Sequence, residues 1–191
     1  MAETFHNPLV LPEGLPVPVD DGGARHLPGM TMPAVELQST SGGTVNLAGL
    51  NGRTVVYIYP RTGVPGQALP DGWDAIPGAR GCTPQTCSFR DHFNELKAAG
   101  AQHLFGLSVQ TTAYQREVVE RLHLPFAILS DANYRLTDAL TLPSFETSGM
   151  RLLRRLTLVI DDGVIAHVFY PVFPPDKSAE TTLAWLQENP A

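Results

Sequence analysis

The hydrophobic pattern changes period along this chain. Val35-Glu-Leu-Gln38 and Thr44-Val-Asn-Leu47 alternate apolar and polar residues around a Ser-Gly-Gly turn, which predicts a β-hairpin. Arg53 to Tyr59 is a nearly unbroken apolar run between Gly52 and Pro60, as expected of a central strand buried on both faces. Further strands are predicted at His103 to Val109, Phe126 to Leu129, Leu156 to Ile160 and Ile165 to Phe169, the last two joined by the turn Asp161-Asp-Gly163. Between them, helical spacing predicts helices at Pro84 to Ala99, Thr112 to Leu122, Tyr134 to Leu140 and Ala179 to Glu188. Thr83 before Pro84 is the expected N-cap of the first. Strands alternating with helices predict an α/β fold with a central sheet.

The first 33 residues carry Pro8, Pro12, Pro16, Pro18 and Pro28 with Gly22 and Gly23. They read as an extended arm whose Val and Leu residues can drape over the core. Residues 34–191 then form the domain proper. A second Gly- and Pro-rich stretch, 61–80, interrupts it between the central strand and the first helix. A loop of that length is usually functional or disordered, and this one is expected to cover the site or to contact a partner.

Composition narrows the function. The chain has 191 residues, 43% of them apolar, enough for one packed core. Its net charge of −6 and the lack of a basic run argue against nucleic acid or an anionic membrane as partner. No apolar stretch of about 18 residues is present, and no secretory signal pattern opens the chain. Only two cysteines occur, Cys82 and Cys87. In a chain read as cytoplasmic, they suggest redox chemistry in a reducing compartment. A zinc site would want paired ligands at short spacing, and no fourth ligand accompanies Cys82, Cys87 and His92. No metal and no cofactor is expected.

Cys82 falls at the predicted helix start, where the positive end of the helix dipole favours a thiolate. Cys87 lies further along. In a continuous helix, residues five apart are separated by a rise of roughly 7.5 Å and a rotation of about 140°. A disulfide needs Cα atoms within roughly 7 Å. Either Cys82 lies outside the helix, or the first turn unwinds on oxidation.

The surrounding residues carry a resemblance. Gly81-Cys82-Thr83-Pro84-Gln85-Thr86-Cys87-Ser88-Phe89-Arg90-Asp91 resembles the signature of the peroxiredoxin Q family, the bacterioferritin comigratory proteins. Leu124-Pro-Phe-Ala-Ile-Leu-Ser-Asp131 and Arg155-Leu-Thr-Leu-Val-Ile-Asp-Asp-Gly163 are similar to two further blocks of that family, in the same order. The resemblance spans roughly Ala34 to Glu188. It implies a thioredoxin-like fold with a central mixed sheet flanked by helices. It also implies a thiol peroxidase acting on hydrogen peroxide and organic hydroperoxides, with Cys82 peroxidatic and Cys87 resolving through an intramolecular disulfide. Thioredoxin or a similar dithiol donor is the implied reductant. Nothing requires a partner chain, so a monomer or weak dimer is expected.

The resemblance also implies Arg155 as a site cation, because a guanidinium beside Cys82 stabilises a thiolate. Neighbouring strand residues face opposite ways, so Arg154 is expected to turn away. Arg61 and Arg80, at the ends of the insertion, are candidates for a second cation. Arg90 and Asp91 read as a structural pair. One departure stands out. The family pattern Pro-x-x-x-Thr-x-x-Cys keeps Pro60, but the third residue before Cys82 is Ala79. Thr62 is a candidate for the missing hydroxyl, Thr83 another, and the site could also lack one. Against the peroxidase reading stand a thiol–disulfide oxidoreductase or redox sensor, which the absence of Cys-x-x-Cys disfavours, and a non-catalytic binding module.

Overall fold

The computed structural model describes residues 7–191. Among the described residues there are nine strands: β1 (Glu36–Ser39), β2 (Thr44–Asn46), β3 (Arg53–Ile58), β4 (His103–Ser108), β5 (Ile128–Ser130), β6 (Ser144–Thr147), β7 (Met150–Leu153), β8 (Leu156–Asp161) and β9 (Val164–Phe169). Five α-helices accompany them: α1 (Cys82–Asp91), α2 (Phe93–Ala98), α3 (Thr112–Leu122), α4 (Arg135–Leu140) and α5 (Ser178–Glu188).

Seven strands form one sheet in the order β2-β1-β5-β4-β3-β8-β9. β3, β4 and β5 run parallel, whereas β1 and β8 join antiparallel. β6 and β7 pair separately as a hairpin. This is the mixed α/β sheet of a thioredoxin-like fold. All six residues of β3 are buried, and alternation divides them between two cores. Val55 and Tyr57, with Tyr59 just beyond the strand, face Phe89, Leu96, Val118 and Leu183 from α1, α2, α3 and α5. Val56 and Ile58 face Leu136 and Leu140 of α4 on the opposite side.

That opposite side has a single short helix, and the arm helps to fill it. Ala24, Leu27 and Met32 belong to the same core cluster as α4. Residues 7–33 contain no helix or strand, only a bridge from Thr31 to Val164. Residues 1–6 of the expected arm lie outside the described residues.

Three local expectations are corrected. The N-cap of α1 is Gly81, with φ of 100°, and Cys82 is the first helical residue. Thr83 therefore lies inside the helix. A Cβ at Gly81 would stand 2.3 Å from Pro175 Cγ and 2.7 Å from Leu11 Cδ2, so close packing and the left-handed φ both select glycine there. The predicted helix from Pro84 to Ala99 is two helices, broken at His92. His92 Nδ1 lies 3.0 Å from the Ser88 carbonyl, which also accepts from the His92 amide. Finally, the β6–β7 hairpin has no counterpart in the sequence reading. Its Phe145, Met150 and Leu152 pack against Trp73, Ile76 and Ala79 of the 61–80 insertion, a pairing invisible to local periodicity.

Candidate active site

Cys82 opens α1, where the unpaired amides of the first turn and the helix dipole favour negative charge on its sulfur. It is 4% exposed, and its thiol donates to the Ala79 carbonyl at 3.6 Å. Arg155, between β7 and β8, is also buried. Its Nη2 lies 3.3 Å from Cys82 Sγ and within 3.2 Å of the carbonyls of Gly78, Ala79 and Arg80. Its Nη1 donates to Gln85 Oε1 at 2.5 Å, and Gln85 Nε2 donates onward to Ser178 Oγ. The partners of Arg155 are three backbone carbonyls, the Gln85 amide and the Cys82 sulfur, and no carboxylate pairs with Arg155 among the described residues. The charge of the guanidinium is therefore available to the sulfur at low local dielectric.

Arg154 turns the other way. It stacks over Phe145 and lies 3.7 Å from Asp21 of the arm. The other candidate cations are engaged elsewhere: Arg80 pairs with Asp74 at 2.7 Å, and Arg61 reaches the Met150 sulfur at 3.4 Å. Arg90 pairs with Asp91 and also donates to the Leu122 carbonyl, fastening α1 to the end of α3.

Pro60 is buried just beyond β3. Thr62 is buried too, but its hydroxyl and amide both donate to Gln110 Oε1, and its carbonyl accepts from Tyr114. Thr62 makes no hydrogen bond to Cys82. Thr83 is buried on the first turn of α1.

Cys87 is a free thiol, half-buried on the same helix. Burial raises its pKa above the ordinary value; Arg90 and Arg121 oppose the shift, and Asp91 adds to it. Tyr57 and Tyr59 lie beneath α1. Tyr57 donates to Thr86 Oγ1 at 3.3 Å and stacks on Phe89 with ring centres 4.4 Å apart. The Tyr59 hydroxyl faces Ser108 short of a hydrogen bond, and burial drives its pKa far up, so it stays protonated. Gln85, Ser178 and Tyr59 were missed as site residues in the sequence reading. Gln85 alone had a signal, as the polar residue one turn beyond Cys82.

Fold and site together define a thioredoxin-fold protein with a buried, arginine-contacted cysteine at a helix start. The chain belongs to the Redoxin family, whose model matches residues 27–183, and within it to the peroxiredoxin Q/Bcp type. It is 32% identical over 168 residues to the chloroplastic peroxiredoxin Q of Sedum lineare, covering 86% of this chain and 80% of that protein. It is 31% identical to peroxiredoxin Bcp of Escherichia coli, covering 82% and 93%. The rice peroxiredoxin Q proteins are longer, and the match spans 66% of their length. Among solved structures, the peroxidoxin BcpB of Mycobacterium tuberculosis superposes with a TM-score of 0.68 at 25% identity, over 87% of this chain and 100% of that one. The peroxiredoxin Q of Xanthomonas campestris shares the fold, with a TM-score of 0.65.

Proposed function

We propose that the chain is a two-cysteine thiol peroxidase. The observation that carries the reading is the 3.3 Å contact between Arg155 Nη2 and the Cys82 sulfur at the first residue of α1. In this reading the Cys82 thiolate attacks the distal oxygen of a hydroperoxide. The O–O bond breaks, and the electron pair leaves on the second oxygen, which takes a proton to become water or an alcohol. Cys82 becomes a sulfenic acid. Cys87 then displaces hydroxide, released as water, and an intramolecular disulfide forms. A thioredoxin-like dithiol reduces it by exchange.

Both cysteines belong to α1, so the disulfide requires the first turns to open. Gln85, Thr86, Phe89 and Arg90 each tie α1 to another element, and these ties set the cost of opening. Pro60 shields the thiol in this scheme. Thr62 serves the peroxide only by turning its hydroxyl away from Gln110, and Thr62→Val tests that role. At 4% exposure, the Cys82 thiol suits a small peroxide better than a protein disulfide, which argues against the oxidoreductase reading. Two free thiols suit a reducing compartment such as the cytoplasm; no described helix is long and apolar enough to cross a membrane. The working unit in this reading is a monomer or weak dimer.

The test is peroxide consumption with thioredoxin, thioredoxin reductase and NADPH. Turnover that requires Cys82 supports the reading. Reduction of insulin without peroxide consumption would replace it with the oxidoreductase.

A further inference from the structure

The ties described above hold α1 from inside the fold. At its start the helix is also held from outside. Gly81, its N-cap, lies between Pro175 and Leu11 of the arm, and a Cβ there would stand 2.7 Å from Leu11 Cδ2. Further along the arm, the ring of Pro18 lies 3.5 Å from where a Cβ on Gly78 would be. The arm therefore touches both ends of the segment 78–81. The carbonyls of Gly78, Ala79 and Arg80 in that segment hold Arg155, and its last residue starts the helix that carries both cysteines.

The grip is made at points. Ahead of Gly29, no backbone hydrogen bond joins the arm to the rest of the fold among the described residues. Past Pro18 the next hold is Asp21, which accepts from Tyr170 at 2.8 Å and lies 3.7 Å from Arg154. Between the arm and the insertion, a space of about 310 Å³ stays open beside Val17, Val19 and Ile76. Val17 and Val19 are 62% and 83% exposed. A segment held in this way lifts at small cost, because little apolar surface is wetted and no ladder of backbone hydrogen bonds breaks.

We propose that the arm is a clamp on the first turn of α1, with Leu11 as the positioning residue, and that the disulfide forms only after the arm has lifted. The inference rests on the peroxidase reading above for the source of the sulfenic acid. Cys82 and Cys87 cannot meet while the first turns are wound. Unwinding takes Gly81 out of its left-handed φ of 100° and away from Leu11. The Leu11 contact therefore favours the wound helix. It slows resolution and leaves the preceding step, in which Cys82 reacts within the wound helix, untouched. The bond chemistry is unchanged: Cys87 displaces hydroxide from the Cys82 sulfenic acid, and the clamp alters only how often the two sulfurs meet. The coupling is mutual, so unwinding releases the arm by the factor by which the arm opposes unwinding.

The experiment compares the parent chain with Leu11→Ala and Tyr170→Phe, neither of which changes charge. Sulfenic acid formation with hydrogen peroxide is timed in the Cys87→Ser background, where that acid accumulates. Disulfide formation is timed with both thiols present, by acid quench and mass spectrometry. Leu11→Ala forms the disulfide about fivefold faster, or ~1 kcal/mol less opposed to opening, and Tyr170→Phe about twofold faster. Sulfenic acid formation stays within about twofold in both, a split that a general loosening of the fold would not give. Diamide, which takes the two thiol hydrogens itself and is reduced to the hydrazine, gives the same order of disulfide rates without peroxide. Unchanged disulfide rates, or both steps altered in equal proportion, overturn the clamp. Absence of sulfenic acid with the diamide order intact overturns the peroxidase reading and leaves the clamp standing. A last readout uses the unaltered chain: the NMR methyl signals of Leu11 move to random-coil positions in the disulfide form, and unmoved signals also overturn the clamp.

Discussion

Gln85 Oε1 accepts a 2.5 Å hydrogen bond from Arg155 Nη1, joining the helix that carries both cysteines to the arginine that contacts one of them. The same Gln85 holds Ser178 at the start of α5 through its amide. Gln85 is neutral, so it orients the guanidinium without consuming its charge. Gln85→Glu puts a carboxylate in competition with the Cys82 thiolate for that charge. Single-turnover peroxide reduction, followed by stopped-flow fluorescence, is expected to slow about tenfold, or ~1.4 kcal/mol of barrier. An unchanged rate would mean that Gln85 only holds the helix in place.

The two cysteines are expected to fail differently when replaced. Cys82→Ser abolishes peroxide reduction. Cys87→Ser keeps one stoichiometric round but does not recycle with thioredoxin, leaving a sulfenic acid that dimedone traps. Loss of the first round in Cys87→Ser would reverse the two roles.

Arg155→Met removes the donor that lies 3.3 Å from the Cys82 sulfur. A positioned donor of this kind is worth on the order of 10² in rate. With hydrogen peroxide, Arg155→Met is expected to fall about 100-fold further than Arg154→Met, whose guanidinium lies over Phe145 and Asp21. Equal losses would remove the argument from their opposite orientation.

Burial raises the Cys87 pKa above its ordinary value of 9.0. At any given pH the folded helix therefore holds less thiolate at Cys87 than the unwound one. The sign for stability follows. The shift favours the folded state below the unfolded pKa, and that contribution fades as pH rises through the folded one. In Cys82→Ser, iodoacetamide should label Cys87 slowly at pH 7 and speed up only above about pH 9, with the profile moving to lower pH in urea. Coincident profiles would show that burial does not govern this thiol.

Oxidation is expected to melt the first turns of α1. Amide exchange across residues 84–93 should quicken in the disulfide form, because an intact helix cannot bring Cys82 and Cys87 together. Phe89, fully buried and stacked on Tyr57, marks where opening becomes expensive, since exposing such a side chain costs about 1.5–3 kcal/mol. Equal protection in both redox forms would exclude local unwinding from the cycle.

What the sequence determined by itself is the local part of this protein. Unbroken hydrophobicity marked β3 as the centre of the sheet, because a strand covered on both faces has no polar side to show. The cysteine spacing and its neighbours identified the family and both thiols. Arg155 could be named from its block, but only folding brings it to 3.3 Å from Cys82, 73 positions away. The tertiary structure alone decided that Gln85 and not a carboxylate meets Arg155, that Thr62 is bonded to Gln110, and that the insertion packs on the β6–β7 hairpin. The Pro- and Gly-rich arm could be expected to drape over the core, but which face residues 24–32 cover, the one opposite α1, depends on contacts with residues far along the chain. Periodicity reports which residues seek burial. Which of them meet is settled by long-range packing, where segments distant in the chain compete for the same apolar surface.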